Sequence, residues 1–254
     1  MRNGDTASIN SLPTAKPKNR WRRAWRALRE LLDDPSDTAK AQDVFMAIGA
    51  TDFERNYQRF LLSRSGQPMS QCTSLVESLS DRQSLELLPE GSLGRCYLDY
   101  LDANGFEPLS LIELSRGTQD RWEREEGIAP RDSQHIWFSD RMALCHDLFH
   151  VVSGYGTDNV NEAALLVFSQ PQLQGKANAL LTFGATLKLY REHGFVWLRY
   201  AYQAWCRGRR ARWLPAFPWE ETLSLPLATV RFLADIEPLT PNQGFAATHN
   251  RPPP

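Results

Sequence analysis

The sequence predicts an all-α protein folded as a single helical domain, and three observations carry that prediction. Apolar residues through the middle of the chain recur at the helical period, without a convincing run of period-two alternation. The periodic segments stop at clear breakers: Pro35, Gly66-Gln67-Pro68, Pro89-Glu90-Gly91 and Asn104-Gly105. With 254 residues, 42% of them hydrophobic, the chain can bury one sizeable core and is near the length at which single cores stop growing.

The first predicted helix, 21–33, begins WRRAWRALRELL and sets Trp21, Trp25, Leu28 and Leu32 on one stripe with Arg22, Arg23, Arg26 and Arg29 around it. Such a stripe fits an interfacial helix whose guanidinium groups reach phosphates, or an amphipathic helix packed on its own domain with solvated arginines; the second reading is preferred. Helices follow at 38–48, 52–64 and 69–79, then at 92–104 and 110–115. The helix over 137–153 runs into Gly154, expected in the left-handed conformation that ends helices, and the next, 159–169, starts from Thr157, Asp158 or Asn159. Helices at 173–192 and 195–211 are apolar on more than one side, as in NALLTFGATLKLY and GFVWLRYAYQAW, which predicts burial for most of their residues. Gly184 and Ala185 are small enough to leave room for a hydrophobic ligand, so these long apolar helices are expected to form a lipid-binding groove. Arg207, Arg209, Arg210 and Arg212, ahead of Trp213 and Phe217, form a second basic cluster with the same two readings as the first. A helix at 226–234 closes the domain, 21–237, which lies between a polar N-terminal segment, 1–20, and a tail, 238–254, both expected to be disordered.

Composition narrows the function. A net charge of -1 lacks the basic excess that nucleic-acid binding brings, so no nucleic-acid partner is expected. No stretch approaches the roughly 18 uninterrupted apolar residues of a spanning helix. The N-terminus has no secretory apolar region, and Asp5 argues weakly against a mitochondrial presequence. Cys72, Cys96, Cys145 and Cys206 show no C-x-x-C spacing, which indicates buried thiols in a reducing compartment rather than a zinc knuckle or a disulfide framework.

Chemistry concentrates in His146-Asp147-Leu148-Phe149-His150, followed after eleven residues by Glu162. His146 and His150 are i and i+4 and share a helix face, with Asp147 on its flank and Glu162 in the first turn of the next helix. One divalent cation can reach them all: His146, His150 and Glu162 are expected as ligands, with Asp147 a fourth ligand or the acceptor that orients a histidine. Zinc suits this donor set, as do Fe(II), Mn(II) and Co(II). Each residue also has a plainer reading, as a core histidine or, if Asn159 is the N-cap, as a Glu162 that closes a capping box. All four coincidences beside an apolar segment, where unpaired charge is expensive, favour the metal. Cys145 is displaced by about 100° around the helix and is read as core.

The stretch HDLFHVVSGYGTDNVNEAALLVF is similar to the signature of the coenzyme Q biosynthesis protein 4 family, His-Asp-x-x-His, eleven residues, then Glu. Upstream, LPEGSLGRCYLDYL (Leu88 to Leu101) resembles the family's Leu-Pro-x-Gly-[Ser/Thr]-Leu-Gly-x-x-Tyr block. Downstream, PWEETLSLPLATVRFLADI (Pro218 to Ile236) resembles its closing segment with a one-residue variation in spacing. The resemblance covers roughly residues 25–237. It implies ubiquinone biosynthesis: oxidative decarboxylation of a polyprenylated 4-hydroxybenzoate-type lipid, with other enzymes of the pathway as partners, and it is compatible with a homodimer. It places the protein peripherally on the inner membrane, cytoplasmic if bacterial and on the matrix side of the mitochondrial inner membrane if eukaryotic. A non-catalytic lipid-binding scaffold with a structural metal is the alternative. A zinc peptidase would want Glu where Asp147 stands, and an HD-type phosphohydrolase would need an upstream histidine that His135 supplies only awkwardly.

Overall fold

A computed structural model describes residues 17–63, 74–127 and 130–239, together with Phe245. Among these the chain is helical, without a strand: α1 (Pro17–Asp33), α2 (Ala39–Ile48), α3 (Ala50–Leu61), α4 (Leu75–Ser80), α5 (Arg82–Glu86), α6 (Leu93–Asn104), α7 (Ser110–Glu126), α8 (Ser133–Ser153), α9 (Asn159–Leu173), α10 (Lys176–His193), α11 (Phe195–Arg210), α12 (Trp219–Thr222) and α13 (Leu227–Leu233), with a 3-10 turn at Leu214–Ala216. The segments expected to be disordered lie outside the described residues, except 17–20, which open α1, and Pro238, Leu239 and Phe245. Cys72 and the first half of the helix expected at 69–79 also lie outside them.

Local chemistry accounts for most boundaries. Ser74 caps α4 through a reciprocal box with Glu77, and Ser92 caps α6, which Gly105 ends in the left-handed conformation. α7 runs to Gly127, well past the expected 115, because its polar exterior hides a buried stripe of Ile112, Thr118 and Trp122. α8 starts four residues earlier than expected because the Asp132 carboxylate accepts from the Gln134 and His135 amides. Asp52 on α3 supplies the missing cap of α10, its Oδ2 accepting the Lys176 amide at 2.5 Å.

The main core gathers α6, α8, α9, α11 and the segment after α11, around fully buried Tyr97, Phe149, Phe168, Trp197, Tyr200 and Trp219. α9 and α11 pack closest where Gly208 meets the Phe168 carbonyl. The upstream and downstream sequence blocks join as a strut beside α8. Leu93 and Gly94 amides donate to the Leu225 and Leu223 carbonyls, and Ser92 bridges to Pro226. Arg141, buried on α8, donates to the Pro215 and Phe217 carbonyls and pairs with Glu220.

A smaller core joins α1 and α2 to α10. Ala24, Ala27 and Leu28 of α1 are buried, whereas Trp21 and Trp25 face outward. The helix therefore packs on its own domain, as preferred, with the Leu28 and Leu32 end of the expected stripe turned inward beside Ala24 and Ala27 and its tryptophan end turned out. This corrects the expectation for Gly184: it is buried, and an added Cβ would lie 2.7 Å from Leu28 Cδ1, so the space it leaves is filled by α1 and is not a lipid groove. The second basic cluster disperses into structural roles. Arg207 donates to the Ser153 and Glu237 carbonyls, Arg212 pairs with Asp235, Arg210 with Glu237, and Arg209 stacks on Trp205.

Candidate metal centre

The Leu148-Phe149 pair anchors the last turns of α8 in the core and turns His146 and His150 toward α9. The helix stops at Gly154, which takes φ +81° as predicted, its amide donating to the His150 carbonyl at 2.8 Å. Arg231 and Arg207 donate to the carbonyls of Val151, Val152 and Ser153, so the end of α8 is held by two guanidinium groups. Asp158, rather than Asn159, caps α9 by accepting from the Val160 and Asn161 amides. Glu162 is then one position beyond the capping-box site, and that plainer reading of it fails. Its carboxylate sits near the positive end of α9.

The ligand atoms of His146, His150 and Glu162 lie within 4.8 Å of one another. His150 Nε2 is 3.3 Å from Glu162 Oε1 and His146 Nε2 is 3.9 Å from Glu162 Oε2, close to the ~3.4 Å separation of ligand atoms around a tetrahedral cation. The His150 Nδ1–H donates to the Tyr155 carbonyl at 3.0 Å, which leaves the lone pair on Nε2. That nitrogen is buried and makes no hydrogen bond of acceptable geometry despite its distance from Glu162. A lone pair facing a carboxylate oxygen repels it unless a cation, proton or metal, lies between them. The donor set and this buried, unpartnered atom fit a divalent metal ion.

Electrostatics follow from that arrangement. Burial, then the His150 charge, pushes the His146 imidazole down to about 4, so it is neutral and able to ligate. Burial also pulls His150 down, but the Glu162 carboxylate, the Tyr155 carbonyl and Asp147 outweigh it and leave its pKa raised. For Glu162, burial is outweighed by the two imidazoles and the pKa is lowered. Solvent still reaches 39% of the His146 and Glu162 side chains, while His150 is closed off. The site is thus a recess, crowded by protein and open on one side.

Asp147 stands outside the three-residue group. Its carboxyl is buried and pushed up to about 7 by that burial, against the pull of His150. It acts electrostatically on Tyr97 and Tyr100 of α6, whose hydroxyls burial holds well above the usual phenol range. Tyr100 stacks on the His150 ring at 5.4 Å and 21°, and the Tyr97 hydroxyl is buried without a partner. Sequence reasoning missed these two tyrosines, although their i, i+3 spacing in LPEGSLGRCYLDYL was a readable signal. Cys145 is core, its thiol pushed up to about 12 by burial. His135 lies three turns before His146 and is engaged by Glu54 and Asp132, which removes the upstream ligand of a phosphohydrolase.

Fold and site together define an all-helical protein with a His/carboxylate cluster at the junction of two helices. Residues 47–240 match the model of the family described as coenzyme Q (ubiquinone) biosynthesis protein Coq4, and the chain belongs to that family. The match begins later than the expected residue 25 and leaves α1 outside it. Among curated relatives, mitochondrial ubiquinone biosynthesis protein coq4 of Sclerotinia sclerotiorum is 27% identical over 155 residues, 61% of this chain and 50% of that protein. The mitochondrial COQ4 homolog 1 of Culex quinquefasciatus is 28% identical over 64% of this chain and 54% of its own length. The chain thus spans about half the length of these relatives. A crystal structure of a protein described as a ubiquinone biosynthesis protein, from Nostoc punctiforme PCC 73102, has the same fold: TM-score 0.55 at 15% identity, over 84% of this chain and 96% of that one.

Proposed function

We propose that the protein catalyses metal-dependent oxidative decarboxylation of a polyprenylated 4-hydroxybenzoate-type head group, replacing the ring carboxylate with a hydroxyl. The observation that supports it most is the buried His150 Nε2 facing Glu162 Oε1 at 3.3 Å, beside His146, in a recess open on one side. With dioxygen as oxidant the change balances: two ring acids and one dioxygen give two ring hydroxyls and two molecules of carbon dioxide. His146, His150 and Glu162 would hold a divalent cation, zinc by donor type, with iron, manganese or cobalt also compatible. When bound it supplies Lewis acidity toward an anionic head-group oxygen.

The chain's own residues prepare the site. The Tyr155 carbonyl fixes the His150 ring so that the buried Nε2 faces Glu162. Tyr100 covers the other face of that ring and keeps water from it. Asp147, outside the ligand group and with its carboxyl pushed up to about 7 by burial, holds the proton that the ring acid or product exchanges.

A second reading is a lipid-binding scaffold that organises other ubiquinone-biosynthesis enzymes, in which the same His146, His150 and Glu162 cluster would hold a structural metal. Purified, metal-loaded protein given a polyprenylated 4-hydroxybenzoate and oxygen, without any other protein, separates the two. Catalysis predicts release of carbon dioxide and formation of the hydroquinone, both abolished by His146→Ala. Substrate that binds stoichiometrically but stays unchanged with zinc, iron, manganese and cobalt leaves the scaffold.

A further inference from the structure

We propose that the cavity between Tyr155, α11 and the segment after α13 binds a small oxyanion, a phosphate or a carboxylate. The cavity has a volume of about 210 Å³, and Tyr155, Tyr202, Gln203, Arg207, Arg210 and Glu237 are among the residues that line it. Arg207 is 8% exposed and Tyr155 2%. Each keeps a polar atom without a hydrogen-bond partner among the described residues: Nη1 of Arg207 and the hydroxyl of Tyr155. The two side chains are neighbours, with the guanidinium carbon 4.9 Å from the centre of the ring. Burial holds the Tyr155 phenol above its ordinary range, and the Arg207 guanidinium, close by but outside hydrogen-bond geometry, pulls it back. Nη1 carries two N–H groups and the hydroxyl a further donor, which is what a ligand made only of acceptors needs. The other polar atoms around them are engaged. Nε and Nη2 of Arg207 donate to the Glu237 and Ser153 carbonyls, and the Tyr200 hydroxyl donates to Asn161 Oδ1 at 2.7 Å.

Charge separates an oxyanion from water. A water molecule satisfies both donors but leaves the charge of Arg207 unanswered, and a buried charge is expensive unless it is paired. Neither Arg207 nor the half-buried Arg231 beside it has a carboxylate partner among the described residues; both donate to backbone carbonyls. Their counter-charge is the carbonyl end of α8, with the end of α11 close by. A helix end supplies roughly half a negative charge, so the two ends offset about one of the two guanidinium charges. Arg210, at the rim, brings a third, which the Glu237 carboxylate answers at 3.6 Å. A bound anion completes the balance. Size points the same way: pockets for drug-sized ligands begin at about 300 Å³, so this cavity suits a small ion rather than a nucleotide or a whole lipid. Tyr155 also ties the cavity to the metal centre, because its carbonyl accepts from His150 Nδ1 at 3.0 Å while its side chain lines the oxyanion site.

Isothermal titration of the full chain, dialysed free of phosphate, with inorganic phosphate and separately with succinate at constant ionic strength tests the site. Substrate, metal and lipid are all left out, so the outcome stands apart from the proposed reaction. One saturable site per chain is expected for at least one of the two probes. Tyr155→Phe removes a hydroxyl that has no partner to lose, so without oxyanion it should unfold in urea at the wild-type midpoint. Its affinity for the probe should nevertheless fall about tenfold or more, the usual worth of a hydrogen bond to a charged group. Arg210→Gln, on the exposed rim, should weaken binding about two- to fivefold. No saturable binding of either probe at millimolar concentration would leave water as the occupant and overturn the proposal. So would Tyr155→Phe that titrates like wild type, which would put the ion elsewhere on the surface, or Tyr155→Phe that is clearly less stable before any oxyanion is added, which would mean that the hydroxyl already has a partner.

Discussion

The same substitution, Gly→Ala inside a helix, should have opposite effects at Gly208 and Gly117. At Gly208 in α11 an added Cβ would lie 1.9 Å from the Phe168 carbonyl oxygen and 2.8 Å from its carbon. Those atoms belong to the backbone of α9, so relief requires the two helices to separate by more than ~1 Å, against a normal contact of about 3.5 Å. Overpacking of this kind costs about 1–3 kcal/mol and occasionally more, and contact with backbone places it at the upper end. The better helix propensity of Ala returns ~1 kcal/mol. The net expectation is a loss of about 2 kcal/mol or more, or roughly 4–8 °C in Tm for a chain of this size. At Gly117 in α7 nothing lies within 4 Å of the new Cβ, and Ala should stabilise by about 0.4–1 kcal/mol. Thermal and urea unfolding followed by circular dichroism measure both. Gly208→Ala as stable as wild type would refute the close approach of α9 and α11.

Two further perturbations probe the frame. Arg141→Met leaves Glu220 and two carbonyls without their donor and should cost about 3–5 kcal/mol by urea unfolding. A loss below ~1 kcal/mol would mean that this anchor of the segment after α11 is dispensable. Asp52→Ala removes the carboxylate that caps α10 from another helix, for a loss of about 1–2 kcal/mol, and faster amide exchange at 176–178 should accompany it.

Much of the fold was legible because core contacts repeat at the helical period and Gly or Pro marks the ends. Gly154 and the Asn104-Gly105 stop behave as their chemistry dictates. α7 was cut short because a narrow stripe of Ile112, Thr118 and Trp122 leaves little periodic signal and Gly117 interrupts it. The short α5 and α12 carry too few residues for a period. In the site, the spacing of His146 and His150 fixed their shared face, whereas the Tyr155 carbonyl that orients His150 and the tyrosines of α6 depend on tertiary approach. The groove expected at Gly184 failed for the same reason: a small residue leaves space, but only the fold says that Leu28 fills it. Trp21 and Trp25 showed the pattern of a stripe without showing which side of it would be buried.

Elemental analysis of the gently purified protein tests most directly whether His146, His150 and Glu162 hold one divalent metal ion. His146→Gln and Glu162→Gln are the useful variants because both side chains are partly exposed and their loss should spare the fold, as circular dichroism can check. About one metal ion per chain in wild type, lost from both folded variants, is the predicted result. Folded variants that keep the wild-type metal content, or a wild-type protein that takes up no zinc, iron, manganese or cobalt, would contradict it.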